Sequence, residues 1–277
     1  MAFRIIQGTR PIEREFVPID RTAGATSLYV GQLVKADTGS FNGVAPLAAA
    51  SGASDTSQKQ IIYGVVSGFD YDPVSGRGLV DATHGQYMTS VQAIADQKAI
   101  VKMGLEGMHP KGDPLPMAQI DLIFPDTLLQ GHIFNATYGV APTLLTVTTV
   151  NATMGLGFTT NANDVATVAN MCTAYCRKGA NAGLYRVVKS ASATVHTFDH
   201  YWPYTIAVGD QFVIVGARQG QSFVQINSTS GYLGVCFNNA ATAASNYFTI
   251  DVKHLDLRIA GKETVVFKFN ACHFSNR

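Results

Sequence analysis

The chain has 277 residues, 47% of them hydrophobic, enough for one large β domain or two smaller ones around a sizeable core. Only 14% of residues are charged and the formal net charge is +1, against roughly 25% charged residues in an average soluble protein. Near-neutrality argues against a protein that binds nucleic acid by neutralising phosphates, which would be strongly basic. A surface this weakly charged suits a permanent assembly covered by partners, with an ordinary low-charge monomer as the alternative.

No apolar run reaches the roughly 18 residues of a membrane-spanning helix, so no membrane partner is expected. Met1-Ala2-Phe3-Arg4 does not open a charged-then-apolar leader, so no secretory signal is expected. The glycosylation-like triplets at Asn135, Asn151 and Asn227 then read as chance. Cys172, Cys176, Cys236 and Cys272 are too few for a disulfide scaffold in a chain this long and are expected as free, mostly buried thiols.

Residues 1–20 read as an extended N-terminal arm. Phe3, Ile5 and Ile6 are apolar and Pro11 breaks any period. Such a segment serves equally as an assembly arm or as a first edge strand. The first β module, 21–155, opens with short strands at Ser27–Val30 and Gln32–Lys35, a return at Val44–Leu47 and a strong strand at Gln60–Phe69. Gly64 inside that strand predicts a bulge or a close backbone approach. Strands are expected at Met88–Ile94 and Ala99–Met103, then an irregular loop at Leu105–Pro116 with three prolines and two glycines. Further strands follow at Gln119–Phe124, Gly131–Thr137 and Leu144–Val150, the last rich in β-branched residues, and Ala152–Thr160 reads as a Gly/Thr loop.

The second module, 156–277, is expected to open with the chain's one α-helix, Asn161–Lys178. Asn161 or Asn163 would cap it. Val165, Val168, Ala169, Cys172 and Cys176 would form its apolar stripe, and Gly179 would stop it. Beyond it, two strands precede Trp202-Pro203, and Gln211–Val215 is a strongly apolar strand. Later strands are expected at Gln221–Ile226, Tyr232–Phe237, Tyr247–Asp251, Leu255–Ile259 and Thr264–Phe269. Gly261-Lys262 is the turn before the last, whose residues alternate in and out. The fold class is mainly β: two small β-barrel or β-sandwich modules, one α-helix in the second, and the extended arm.

The sequence carries no catalytic motif: no GxSxG, phosphate-binding loop, HExxH or EF-hand loop. His196 and His200 would share a strand face but lie about 13 Å apart along it, too far to hold one ion. Cys172 and Cys176 read as a buried apolar pair on one helix face. No cofactor, metal or enzymatic activity is expected. The densest chemistry is aromatic: Phe198, Tyr201, Trp202 and Tyr204 fall within seven residues. That cluster reads as a barrel plug or a subunit contact, with sugar stacking as the alternative. The candidate interface set is Phe3, Ile5, Ile6, Phe198, Tyr201, Trp202 and Tyr204.

Several stretches resemble β modules of tailed-bacteriophage structural proteins. In the second module these are Gly183–Val188, Trp202-Pro203 and Val208-Gly209-Asp210-Gln211-Phe212-Val213-Ile214. In the first, Tyr29–Val34, Gly43–Leu47 and Ile62–Gly68 are similar to capsid-decoration proteins. The matching pieces cover about a third of the chain. The resemblance implies a decoration (cement) protein on the outside of a phage head. Its partners would be the major capsid protein and itself, as a homotrimer made in the host cytoplasm and carried in the virion. Direct contact with nucleic acid is not expected. The alternatives are another virion component (a major or minor capsid protein or a tail protein) and a carbohydrate-binding adhesion domain. A major capsid protein of the usual tailed-phage fold would show a long spine helix, which the sequence lacks.

Overall fold

The computed structural model describes residues 3–8, 11–18, 28–36, 44–47, 62–69, 71–72, 77–78, 87–88, 117–135, 140–151, 156–162, 172–192, 194–227, 233–237 and 248–274. In chain order the strands are β1 (Arg4–Gln7), β2 (Arg14–Pro18), β3 (Leu28–Tyr29), β4 (Leu33–Ala36), β5 (Val44–Pro46), β6 (Ile62–Phe69), β7 (Tyr71–Asp72), β8 (Arg77–Gly78), β9 (Tyr87–Met88), β10 (Met117–Leu122) and β11 (Leu128–Phe134). They continue as β12 (Leu145–Val150), β13 (Gly157–Thr160), β14 (Cys172–Lys178), β15 (Tyr185–Ser192), β16 (Val195–Phe198), β17 (Gln211–Val215), β18 (Gly220–Asn227), β19 (Gly234–Cys236), β20 (Phe248–Asp256) and β21 (Thr264–Phe269).

These strands build three main units. The first is an antiparallel five-stranded sheet in the order β2-β10-β6-β4-β5. The second is a six-stranded sheet, β1-β11-β19-β18-β20-β21, in which β11 also pairs with β21. That extra pairing joins β11, β19, β18, β20 and β21 into a hydrogen-bonded ring, in which β11–β19 is the parallel pair. The third is a closed antiparallel barrel, β12-β13-β16-β15-β14-β17. Closure removes the exposed strand edges that invite uncontrolled pairing. The barrel draws on residues 145–215, whereas the ring takes strands from both sides of residue 155.

The N-terminal residues are bound to this chain's own sheets. β1 pairs with β11 and β2 with β10, so residues 4–18 run antiparallel beside the β10–β11 segment. The Phe3 amide donates to the Gly31 carbonyl (2.8 Å) and its ring meets Phe267 edge-on at 6.4 Å. Gly64 has the close approach its position predicts. A Cβ there would lie 2.3 Å from Ile120 Cγ2 and 2.5 Å from the Asp121 carbonyl oxygen. The β4–β6 register also shifts beside it, Val34 facing Gly64 and Lys35 facing Ile62.

The expected helix is corrected where it can be seen: Cys172–Lys178 is a strand, β14, paired with β15 and β17. The cause is a coincidence of periods. Residues four apart share a face on a helix and also on a strand, so Cys172 and Cys176 do not distinguish the two. Ala174 completes the strand reading, since all three are buried in the barrel interior. Thr173, Tyr175 and Arg177 point the other way, and Tyr175 joins the core of the ring. β17 behaves alike: Phe212 and Ile214 fill the barrel while Val213 and Val215 enter the neighbouring core. β14 and β17 therefore form the barrel wall that abuts the rest of the molecule. Residues 89–94, 99–103, 105–116 and 163–171, on which other expectations fall, lie outside the described residues. Gly157–Thr160, expected as loop, is strand β13, held between β12 and β16.

Candidate interaction surface

β16 ends at Phe198 and β17 begins at Gln211, and the twelve residues between them hold the aromatic cluster. Every fourth residue of the loop turns inward and the rest face solvent. Trp202 and Ile206 are buried, 5% and 2% exposed, while Tyr201, Tyr204 and Val208 are 53%, 61% and 67% exposed. Inside the barrel Phe158 stacks on Phe212 with ring centres 4.5 Å apart. Trp202 meets Phe198 at 5.4 Å and Phe212 at 5.2 Å, both edge-on. The indole is thus a barrel plug, and neither it nor Phe198 offers a surface to a partner or a sugar.

Three polar side chains hold the loop in place. Asn181, buried in the β14–β15 turn, donates from Nδ2 to the Tyr204 carbonyl (2.8 Å), and its Oδ1 accepts the Tyr204 amide (3.0 Å). Asp210 Oδ2 accepts the Ala207 amide at 2.9 Å. The same carboxylate packs on Gly179 (φ +125°), where a Cβ would sit 2.3 Å from Asp210 Oδ1. Arg186 donates from Nε to the Tyr201 carbonyl (3.2 Å) and lies over the Trp202 ring, 5.6 Å from its centre. Such contacts fix a loop that would otherwise lose considerable conformational entropy on meeting a partner.

The other candidate residues separate from this loop. Phe3 is buried, Ile5 is half-buried against the ring core, and Ile6 is 46% exposed at the far N-terminal edge. The structure gathers Phe198, Tyr201, Trp202 and Tyr204 at the barrel and leaves Phe3, Ile5 and Ile6 on β1 and just before it. Sequence reasoning missed Val208, the most exposed apolar residue of the loop, and the clamps Asn181 and Arg186. The Val208-Gly209-Asp210 turn was visible, but the partners of a clamp come from other strands and leave no local signal. His196 and His200 do not meet: His196 lies inside the barrel with Nε2 3.0 Å from Thr160 Oγ1, and His200 is exposed beyond the end of β16. All four cysteines are buried and none is in a disulfide, and burial pushes the Cys172 thiol up to about 12. No group of three or more His, Cys, Asp or Glu gathers as metal ligands among the described residues.

Fold and site together define a mainly β protein built around a closed six-stranded barrel, with a clamped apolar loop at one end of it. Comparison with protein-family models, with curated proteins and with solved structures finds no match for this chain.

Proposed function

We propose that this chain is a virion structural protein, most like a tailed-phage decoration protein that sits on the capsid lattice and reinforces the head. Two kinds of support stand behind this reading. One is the resemblance carried by Tyr29–Val34, Ile62–Gly68, Gly183–Val188 and Val208–Ile214. The other, the structural observation on which it rests, is the rigid loop presenting Tyr201, Tyr204 and Val208 to solvent while its clamps and plug are spent internally. Pre-organised aromatic residues are the usual anchors of protein interfaces. Against a capsid subunit or a second copy in a trimer, the buried apolar area would contribute about 25 cal/mol per Å².

The test is to add the purified protein to undecorated capsids. The expected result is stoichiometric binding and a higher capsid melting temperature; capsids equally stable with and without it would overturn the reading. Tyr201→Ser with Tyr204→Ser should lower capsid affinity by about thirtyfold or more, the scale of an interface hot spot of about 2 kcal/mol. The chain's own melting temperature should not change, because both side chains face solvent.

A further inference from the structure

β2 is the first strand of the five-stranded sheet and pairs with β10 along one edge only. The Leu122 amide donates to the Glu13 carbonyl at 2.9 Å. The same register continues along the pair, with Glu15 facing Ile120 and Val17 facing Ala118. Backbone groups of an antiparallel strand alternate between its two edges. Arg14 and Phe16 therefore turn their N–H and C=O groups outward, away from β10, and no described residue pairs with them. Pro18 obeys the same alternation, because its missing N–H falls on the outward edge, where it costs no ladder bond. The opposite edge of the sheet, β5, is three residues long and ends in Pro46.

The side chains along this edge decide what can occupy it. Glu13 and Glu15 share a face with the buried Val17. Arg14 lies on the other face, in line with Ile12, which is 57% exposed. Arg14 is neutralised within the sheet: Nε meets Asp121 Oδ1 at 2.6 Å and Nη2 meets Oδ2 at 3.4 Å. Glu13 is exposed and Glu15 half-buried, its carboxylate accepting the Tyr63 hydroxyl at 2.6 Å. No cation among the described residues pairs with either glutamate. A second copy suits this edge poorly. Antiparallel pairing of β2 with its own copy sets Arg14 opposite Arg14, Phe16 or Pro18. The first register brings Glu13 opposite Glu15 and the second Glu15 opposite Glu15, and like charges directly opposite destabilise a pair. The third sets Arg14 against Pro18, which has no N–H to give. A strand with lysine or arginine at two alternate positions instead meets both glutamates, and an apolar residue next to them falls on the Ile12 side.

We propose that the outer edge of β2 takes up an extended segment of another protein, basic at alternate positions, as a further antiparallel strand of the five-stranded sheet. Its backbone bonds to Arg14 and Phe16 supply affinity, and its cations opposite Glu13 and Glu15 fix the register. The proposal stands apart from the capsid reading, because it uses β2 rather than the loop between β16 and β17.

Fluorescence polarisation of a short labelled peptide alternating lysine and valine, titrated with the full chain, tests it. One comparison peptide carries glutamate in place of lysine. The other is methylated at its valine nitrogens, which face β2 when the lysines lie opposite Glu13 and Glu15; it keeps the charge and loses the backbone donors. The lysine peptide should bind about tenfold or more tightly than either comparison, and Glu13→Lys should weaken it by about tenfold or more. Amide exchange at Arg14 and Phe16 should slow when the lysine peptide is bound. Glu13 is exposed, so the melting temperature should not change; if Glu13→Lys lowers it, the methylated peptide and the exchange pattern decide. No binding of the lysine peptide, equal binding of the methylated one, an affinity unmoved by Glu13→Lys in a stable variant, or protection confined to other strands would overturn the proposal.

Discussion

Arg177 and Glu263 form an ion pair whose side chains are 9% and 1% exposed. Arg177 Nε also donates to the Leu257 carbonyl at 2.9 Å, so one barrel residue holds the connection between β20 and β21. Removing one member of a buried pair leaves a charge with neither water nor partner. Arg177→Met should therefore cost about 3–5 kcal/mol. The double change Arg177→Met with Glu263→Gln should cost clearly less, and urea unfolding of both variants compares them. Equal losses would show that lost packing rather than the stranded carboxylate is responsible. His196 acts through pH. Burial lowers its pKa from the ordinary value to about 4, and its Nδ1 has no partner. Between about pH 6.5 and pH 4 the unfolded chain therefore binds a proton that the folded chain refuses. Stability falls as pH drops through that window, by about 3 kcal/mol in total. His196→Gln should flatten this part of the stability–pH curve, and a slope left unchanged would assign it to other groups.

At the scale of elements, legibility followed the number of faces a strand buries. β21 alternates in and out, and that alternation is written in Thr264–Phe269, so both of its ends could be read directly. β17 buries both faces, but a run of four apolar residues, Phe212–Val215, between Gln211 and Gly216 has no other use, and it too was legible. β14 buries one face in the barrel and turns the other, with Thr173, Tyr175 and Arg177, against the ring, so neither face alternates toward water, and Cys172 and Cys176 satisfied the helical period by accident. β13 was hidden because its Gly and two Thr look like turn residues until the flanking strands are present. The aromatic cluster could be found from composition, but not its split into a buried plug and an exposed pair, because that depends on Asn181, 23 positions from Tyr204. Asn181→Ala should release the loop without opening the barrel. Amide exchange at residues 201–209 should quicken, while β14 and β17 stay protected. Uniform quickening across the barrel would mean that Asn181 supports the whole unit.

Across the whole molecule the described buried apolar residues divide into two cores. One is continuous from the five-stranded sheet through the ring to Tyr175, Val213 and Val215 on the barrel's outer wall. The other is enclosed by the barrel and contains Phe158, Phe198, Trp202 and Phe212. Among the described residues the polar links across the junction are Arg177 to Glu263 and Leu257, and the Tyr185 hydroxyl to Leu255 and Leu257. A closed barrel with its own core can unfold as a unit once those links are cut. The wild-type chain should show one cooperative transition. The triple change Arg177→Met, Glu263→Gln and Tyr185→Phe should split it. The chain's single tryptophan, Trp202, makes this directly measurable, because indole fluorescence reports the barrel alone while far-ultraviolet circular dichroism reports every strand. Coincident curves in the wild type and separated curves in the triple variant are expected. Curves that still coincide would mean that the packing of Tyr175, Val213 and Val215 against the ring is sufficient to keep barrel and ring one folding unit.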